Sequence, residues 1–180
     1  MKILVTYAST YGATEGIAGH IADRLRATGL DVVALPVRAA GDVSEYQAFV
    51  IGSAAYFGHW LKGATEFVRD HQAVLAERPT WLFSSGPLGT EATDAKGQDQ
   101  HVAAEPKDIA EFREAIHPRD HHVFFGAMDP GKLGLRDRAV RTLPAGRALM
   151  PEGDFRDWPE IDAWADSIAR ELAPATASRG

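Results

Sequence analysis

The sequence of 180 residues contains no cysteine. Disulfide bridges, thiolate metal sites, iron–sulfur clusters and cysteine nucleophiles are therefore excluded. If this protein carries out redox chemistry, the electrons must be held by a bound cofactor.

Positive charge is also scarce, with 19 Lys and Arg residues against 25 Asp and Glu residues and a net charge of -6. Nucleic-acid binding through phosphate neutralisation normally requires a strongly basic surface, so we expect no nucleic-acid partner. No apolar run approaches the roughly 18–20 residues that span a bilayer. The chain enters strand-like sequence directly after Met1, without a secretory signal. We therefore expect a cytoplasmic protein with no membrane span.

Short β-rich runs alternate with helical stretches along the chain. This alternation predicts an α/β fold, with a parallel sheet covered by helices on both faces. The predicted strands are 2–7, 31–36, 48–53, 80–85 and 122–127, and the predicted helices are 13–29, 61–75, 108–116 and 158–172. At this length, a doubly wound five-stranded sheet of order 2-1-3-4-5 fits best. We expect one domain over residues 1–173, a solvated loop over 90–107 and a flexible tail over 174–180.

Ligands of such sheets bind beyond the carboxyl ends of the strands. The loop after predicted strand one contains Ser9, Thr10, Tyr11, Gly12, Ala13 and Thr14. Its hydroxyl groups and the free N–H groups of a helix N-terminus favour an anion, and Gly12 permits positive φ or the close approach of a phosphate. The loop lacks both a lysine and a G-x-G-x-x-G pattern, which excludes the Walker A and dinucleotide motifs. The alternative is a simple helix cap by Ser9 or Thr10.

The loop after predicted strand three combines small residues with aromatic ones. Its candidate contacts are Ala54, Tyr56, Phe57, Gly58, His59 and Trp60. Aromatic faces at the mouth of a sheet suit a flat conjugated ligand, and glycines let the backbone approach its edge. Tyr56 and Trp60 are the candidates for covering the ring, whereas Phe57 is expected to pack under the following helix.

The loop after predicted strand four is small and uncharged. It contains Ser85, Gly86, Pro87, Leu88 and Gly89, for which the alternative is a plain turn. Together the three loops predict a phosphate seat, an aromatic wall and a floor of backbone groups. The ligand that fits best is FMN.

Residues 9–14 resemble the phosphate loop of flavodoxins. The segment 50–60, together with 66–71, is similar to the bacterial flavodoxin-like, quinone-dependent protoporphyrinogen oxidases, and Gly58-His59 is its most specific element. The resemblance continues at 125–127 and Asp157-Trp158, so it covers nearly the whole chain. It implies bound FMN, with contacts from residues 9–14, 56–60 and 85–89, and it does not fix the substrate.

The segment 131–147 departs from the acidic character of the chain. It contains Lys132, Arg136, Arg138, Arg141 and Arg147 against Asp137 alone, so its net charge is +4 and the rest of the chain sums to -10. Leu135, Ala139 and Leu143 are spaced for a short amphipathic helix. One interpretation is docking to a quinone, a redox partner or a membrane surface without spanning it. The other is an ordinary crossover with solvated arginines.

Three functional hypotheses follow. The first is an FMN oxidoreductase that passes electrons from a small substrate, with a porphyrinogen as one candidate, to a quinone or another acceptor. The second is a flavodoxin-type electron carrier, and the third is a binding domain without flavin. The second loop contains His59 and Lys62 and no acid, which favours the enzyme, with His59 as the candidate residue that tunes the flavin. His117, His121 and His122 are weak metal candidates at the opposite end of the sheet.

Overall fold

The computed structural model describes residues 1–94 and 96–173, so the predicted tail lies outside the described residues. Five parallel strands form the central sheet in the order β2-β1-β3-β5-β6. They are β1 (Lys2–Ala8), β2 (Asp31–Pro36), β3 (Ala48–Tyr56), β5 (Thr80–Ser85) and β6 (Asp120–Phe124). A short β4 (His59–Trp60) pairs antiparallel with the end of β3. The predicted order 2-1-3-4-5 counts only the parallel strands. Because β4 is not one of them, β5 and β6 are the fourth and fifth predicted strands, and the predicted order is confirmed.

Helices cover both faces of this sheet. The longer ones are α1 (Ala13–Ala27), α2 (Lys62–Asp70), α5 (Asp108–Ile116) and α8 (Trp158–Leu172). The shorter ones are α3 (Gln72–Glu77), α4 (Gln100–Ala103), α6 (Leu135–Arg141) and α7 (Pro144–Leu149). One apolar cluster joins the sheet to α1 and α8, and a second joins the opposite face to α2, α3 and α5. The fold is therefore a three-layer α/β/α sandwich.

The two central strands are buried on both faces. Ile3, Leu4 and Val5 of β1 and residues 49–51 of β3 have no exposed surface. Such continuous apolar runs are typical of parallel strands with helices on each side. In the register, Ala8 lies opposite Ser53 and Ser53 lies opposite Ser84. The loops after β1, β3 and β5 therefore leave the sheet side by side.

Helix α1 has clear local signals at both ends. Gly12, with φ of 90°, immediately precedes it. At its other end, the N–H of Gly29 donates to the carbonyl of Arg26, and Gly29 has φ of 87°. A left-handed glycine after the last turn is a common helix stop, because it satisfies carbonyl groups without steric cost.

Three local predictions were wrong. The strand predicted at 122–127 begins at Asp120 and leaves the sheet after Phe124, and β7 (Ala127–Met128) pairs instead with β8 (Gly153–Asp154). The helix predicted at 61–75 is interrupted at His71, where φ is -110°, so that α2 and α3 are separate. The loop predicted over 90–107 contains α4. All three errors concern element boundaries or short elements, which local periodicity defines poorly.

A series of hydrogen bonds runs from Trp60 through Ser84 and His121 to Glu105. Trp60 Nε1 donates to Ser84 Oγ at 2.7 Å, and Ser84 Oγ lies 2.8 Å from His121 Nε2. His121 Nδ1 lies 3.1 Å from Glu105, which pairs with Arg113. Burial lowers the pKa of His121 to about 4, although Glu105 and Asp120 act in the opposite direction. The imidazole is therefore neutral at pH 7, with its Nδ1 proton donated to Glu105 and its Nε2 accepting from Ser84.

This neutral histidine predicts a specific acid sensitivity. An unfolded His121 binds a proton near pH 6.5, whereas the folded one does so only near pH 4. The free energy of unfolding therefore falls as the pH drops from about 6.5 to 4, by up to about 3 kcal/mol from this residue. Denaturant titrations at several pH values measure the effect.

The control substitutions separate this effect from general acid unfolding. In His121→Gln, the slope of unfolding free energy against pH is expected to be shallower than in the parent. His117→Asn, at an exposed left-handed position with φ of 47°, is expected to keep the parent slope. Equal slopes in all three proteins would show that His121 does not titrate in this way.

Candidate functional site

The loops after β1, β3 and β5 enclose one pocket with part of the chain that follows β6. Most of the predicted contacts line it: Ser9, Thr10, Tyr11, Ala13, Thr14, Ala54, Tyr56, Ser85, Gly86 and Leu88. The pocket lies at the carboxyl edge of the sheet, beside the N-terminus of α1. This is the position at which doubly wound sheets bind their ligands.

The first loop presents the N-terminus of α1 to this pocket. The N-cap of α1 is Gly12, and no side chain caps the helix. Ser9 Oγ accepts from the Gly12 N–H at 3.0 Å, which shapes the loop before the helix begins. The alternative that Ser9 or Thr10 caps α1 is therefore wrong. An uncapped helix N-terminus beside hydroxyl groups is suited to an anion such as phosphate.

Gly12 itself does not line the pocket but sets the backbone path. It borders a groove on the other side of the first loop. Its φ of 90° is a conformation that residues with a Cβ rarely adopt. The loop therefore depends on glycine at this position to turn into α1.

Thr14 joins the first loop to the third. Its hydroxyl donates to Ser85 Oγ at 3.2 Å, and its side chain is buried. Pro87 and Gly89 do not line the pocket, but the Pro87 carbonyl accepts from the Gly126 N–H at 2.9 Å. The third loop is thereby tied to the chain after β6.

Of the two aromatic candidates for a ring wall, the structure places Tyr56 at the pocket. Tyr56 is 40% exposed, and burial together with the nearby Asp137 raises its pKa. Trp60 is 4% exposed, packs against Phe112 with ring centroids 5.2 Å apart, and donates its indole N–H to Ser84. The prediction that Trp60 is available to cover the ligand is therefore corrected, because the antiparallel turn from β3 into β4 carries it into the core.

That turn also corrects the expectation for Phe57. Phe57 and Gly58 connect β3 to β4 and have φ of 52° and 75°. Two positive φ values are typical of a two-residue hairpin loop. Phe57 is fully exposed at the tip instead of packed under the following helix, and neither residue lines the pocket.

The charge argument based on the second loop is also corrected. His59 Nδ1 lies 3.3 Å from Asp108, and Lys62 Nζ lies 3.3 Å from Glu66. Neither side chain lines the pocket. Asp108, which is distant in the chain, and Glu66, four residues after Lys62 in α2, lie beside these two basic groups, so they give no reason to prefer an enzyme to an electron carrier.

Sequence reasoning missed one wall of the pocket. The missed lining residues are Ala55, Gly126, Ala127, Met128, Asp129, Leu133 and Met150. Residues 126–129 follow the carboxyl end of β6, so the rule that identified the other loops could have found them. Leu133 and Met150 carry no comparable signal, because the chain returns to the pocket after irregular connections.

The histidines that were weak metal candidates gain no support from the geometry of the described residues. His121 takes part in the hydrogen bonds to Ser84 and Glu105, and His122 lies 3.0 Å from Glu160. Across residues 1–94 and 96–173, no three His, Asp or Glu side chains come together as metal ligands. In the same residues, no helix has the length and apolarity needed to cross a membrane.

The geometry fits the chemistry of FMN. The uncapped start of α1 and the hydroxyl groups of Ser9 and Thr10 suit the phosphate. Tyr56 and Leu88 supply apolar surface for a planar ring, and Ser85 and Gly86 supply polar edges.

The comparisons with known proteins agree with this fold. The sequence pattern of a family described as a flavodoxin domain matches residues 4–143. The protoporphyrinogen IX dehydrogenase [quinone] of Escherichia coli K12 is 28% identical over 94% of this chain and 95% of its own length. An NAD(P)H dehydrogenase (quinone) of Rhodopseudomonas palustris is 24% identical over 91% of this chain and 90% of its own length.

Solved structures give the same architecture. The oxidised flavodoxin 2 of Bacillus cereus superposes with a TM-score of 0.61 at 21% identity, over 96% of this chain and all of the flavodoxin. The two-electron reduced flavodoxin of Megasphaera elsdenii gives a TM-score of 0.57 at 18% identity, over 94% of this chain and 99% of the flavodoxin. At these identities the likeness supports the fold.

The backbone at Gly12 yields a test of the first loop. Gly12→Val places a β-branched residue at φ of 90°, which strains the turn and displaces the N–H groups before α1. We expect FMN to bind about tenfold to a hundredfold more weakly, as for the loss of a charge-assisted contact. Fluorescence titration measures the dissociation constant.

The matched control is Gly19→Ala in the same helix. No atom lies within 4 Å of a Cβ at this position, so the substitution is sterically free. It is expected to leave FMN affinity unchanged and to stabilise α1 by about 0.5–1 kcal/mol. An unchanged affinity in Gly12→Val would remove the first loop from the binding site.

The ring wall has its own test at Tyr56. Tyr56→Ala is expected to weaken FMN binding by about 0.5–1.5 kcal/mol beyond the lost buried area, and to reduce the quenching of flavin fluorescence. Tyr56→Phe keeps the ring and is expected to keep the quenching. If Tyr56→Ala quenches flavin as fully as the parent, Tyr56 does not contact the ring.

Proposed function

We propose, from the premise that this chain belongs to the flavodoxin domain family, that it binds FMN and passes electrons from a small substrate to a quinone or another acceptor. The observation that carries this proposal is the uncapped N-terminus of α1, which opens into a pocket between three strand ends. The pocket offers donors for a phosphate on one side and Tyr56 on the other. When bound, FMN supplies reversible electron transfer that this cysteine-free chain lacks.

The residues of this chain would bind and orient the cofactor. Ser9, Thr10 and the first N–H groups of α1 would hold the phosphate. Tyr56 would cover part of the ring, and Leu88 would exclude water from its edge. The two named relatives act with quinones, which supports a quinone as acceptor and either a porphyrinogen or a nicotinamide nucleotide as donor.

A flavodoxin-type electron carrier is the second candidate. It is supported by the match of residues 4–143 to the flavodoxin domain family, and the basic groups of the second loop, which lie beside Asp108 and Glu66, do not argue against it. In that case the partners at both ends of the electron path would be proteins. The distinction lies in whether a small molecule alone can reduce the bound flavin.

The segment 131–147 supports a surface role for either function. Its α6 has no buried residue, and Leu135 and Leu143 are 87% and 61% exposed beside several arginines. Exposed apolar and basic groups on α6 and in the connection that follows it suit contact with a membrane surface or an acidic redox partner. A quinone dissolved in a lipid bilayer would be reached through such a contact.

Anaerobic stopped-flow spectroscopy tests the proposal. The FMN-loaded protein is mixed with NADH, NADPH or a porphyrinogen, and reduction is followed by the loss of flavin absorbance. The reduced protein is then mixed with a short-chain quinone in solution or a long-chain quinone in anionic vesicles. Free FMN at the same concentration is the control.

An enzyme is expected to be reduced by at least one donor and reoxidised by quinone faster than free FMN. If the quinone in vesicles reoxidises the protein faster than the quinone in solution, the surface of the segment 131–147 contacts the membrane. Reduction only by a protein reductase would identify the carrier. A protein that binds no flavin would refute both.

A further inference from the structure

The first loop brings no positive charge of its own to the proposed phosphate. Residues 9–14 contain neither lysine nor arginine, and the first turn of α1 contains Glu15. At neutral pH the phosphate group carries between one and two negative charges. The hydroxyl and N–H groups of the first loop and α1 can solvate this charge, but none of them carries an opposite formal charge.

The structure brings a cation beside the first loop from far along the chain. Lys132 Nζ lies 3.8 Å from the position that a Cβ on Gly12 would occupy. Lys132 ends a short 3-10 turn, Pro130–Lys132, in which Asp129 accepts from the Gly131 N–H at 2.8 Å. No carboxylate within the described part of the chain pairs with the Lys132 ammonium group.

Two further contacts fix this turn against the first loop. The Tyr11 hydroxyl donates to the carboxylate of Asp137 at the start of α6, and this bond raises the pKa of Tyr11. Leu133, next to Lys132, is 6% exposed and lines the pocket. The bond between Tyr11 and Asp137 and the burial of Leu133 at the pocket therefore hold the turn that carries Lys132 beside the first loop.

Three of the four arginines of the same segment are engaged elsewhere. Arg138 donates to the Gly131 carbonyl at 2.7 Å, and Arg141 donates to the Met150 carbonyl at 3.1 Å. Arg147 donates to the Arg141 carbonyl at 3.2 Å. These bonds hold the segment together, whereas the Lys132 ammonium group faces the start of α1.

We infer that Lys132 is a cofactor-binding residue that neutralises the FMN phosphate, and that it makes the site select phosphorylated flavin over riboflavin. This inference rests on the proposed function. The contact is charge-assisted, and such contacts are roughly twice as strong as neutral hydrogen bonds. The segment 131–147, which we propose to contact a partner or a membrane surface, would thus also bind the cofactor.

Binding of FMN and of riboflavin, which lacks the phosphate, tests the inference without any turnover. Both flavins are titrated by fluorescence at low ionic strength against the parent, Lys132→Met, Lys132→Arg and Arg136→Met. Lys132→Met is expected to bind FMN about tenfold to a hundredfold more weakly and to bind riboflavin as the parent does. Lys132→Arg is expected to retain most of the FMN affinity.

Arg136→Met is the matched control, because it removes one positive charge from the same segment. Within the described residues, no hydrogen bond or ion pair connects Arg136 to the first loop. It is expected to keep both affinities. Added salt is expected to weaken FMN binding more in the parent than in Lys132→Met.

Three outcomes would overturn the assignment of Lys132. They are equal losses of FMN affinity in Lys132→Met and Arg136→Met, parallel losses for FMN and riboflavin, and a parent that does not prefer FMN. Each leaves flavin binding by the pocket intact. A parent that binds neither flavin overturns the proposed function itself, and the inference with it.

Discussion

The parallel register of β1, β3 and β5 is the constraint on which the site depends. Ala8 lies opposite Ser53, and Ser53 lies opposite Ser84, so three loops leave one edge of the sheet at the same level. The apolar cores on both faces fix this register, because a shift of one residue would turn buried side chains toward the opposite face. The pocket is thus a product of core packing, and the loops contribute its chemistry.

The sequence predicted the sheet well because its signals are local. Runs such as residues 48–51 are continuously apolar, and the ends of β2 and β5 were predicted correctly. Local signals also located the pocket, since the three loops follow directly from the strand ends. They failed for Trp60, because β3 extends three residues beyond its predicted end and then reverses through Phe57 and Gly58. A positive φ at a phenylalanine has no signature in sequence.

The remaining errors concern partners that are distant in the chain. From its sequence neighbours His59 is predicted to be unpaired, but the fold places Asp108, which lies 49 residues later in the chain, 3.3 Å from its Nδ1. The same α5 that carries Asp108 contributes Phe112 to the packing of Trp60. One helix, α5, therefore both places a carboxylate beside His59 and packs against the indole of Trp60. Short-range spacing cannot predict such pairs, since their geometry exists only once the two layers have packed.

The positively charged residues of the segment 131–147 have different roles. Three of its arginines donate to backbone carbonyl groups, and this stabilises a stretch whose helix α6 buries no side chain. Tyr11 and Leu133 then attach that stretch to the pocket. Because the attachment meets the first loop where α1 begins, any movement of the segment toward a partner would also act on the phosphate site. Cofactor retention and partner contact would then be linked through the Tyr11–Asp137 hydrogen bond and through Leu133, and each would change the affinity of the other by the same factor.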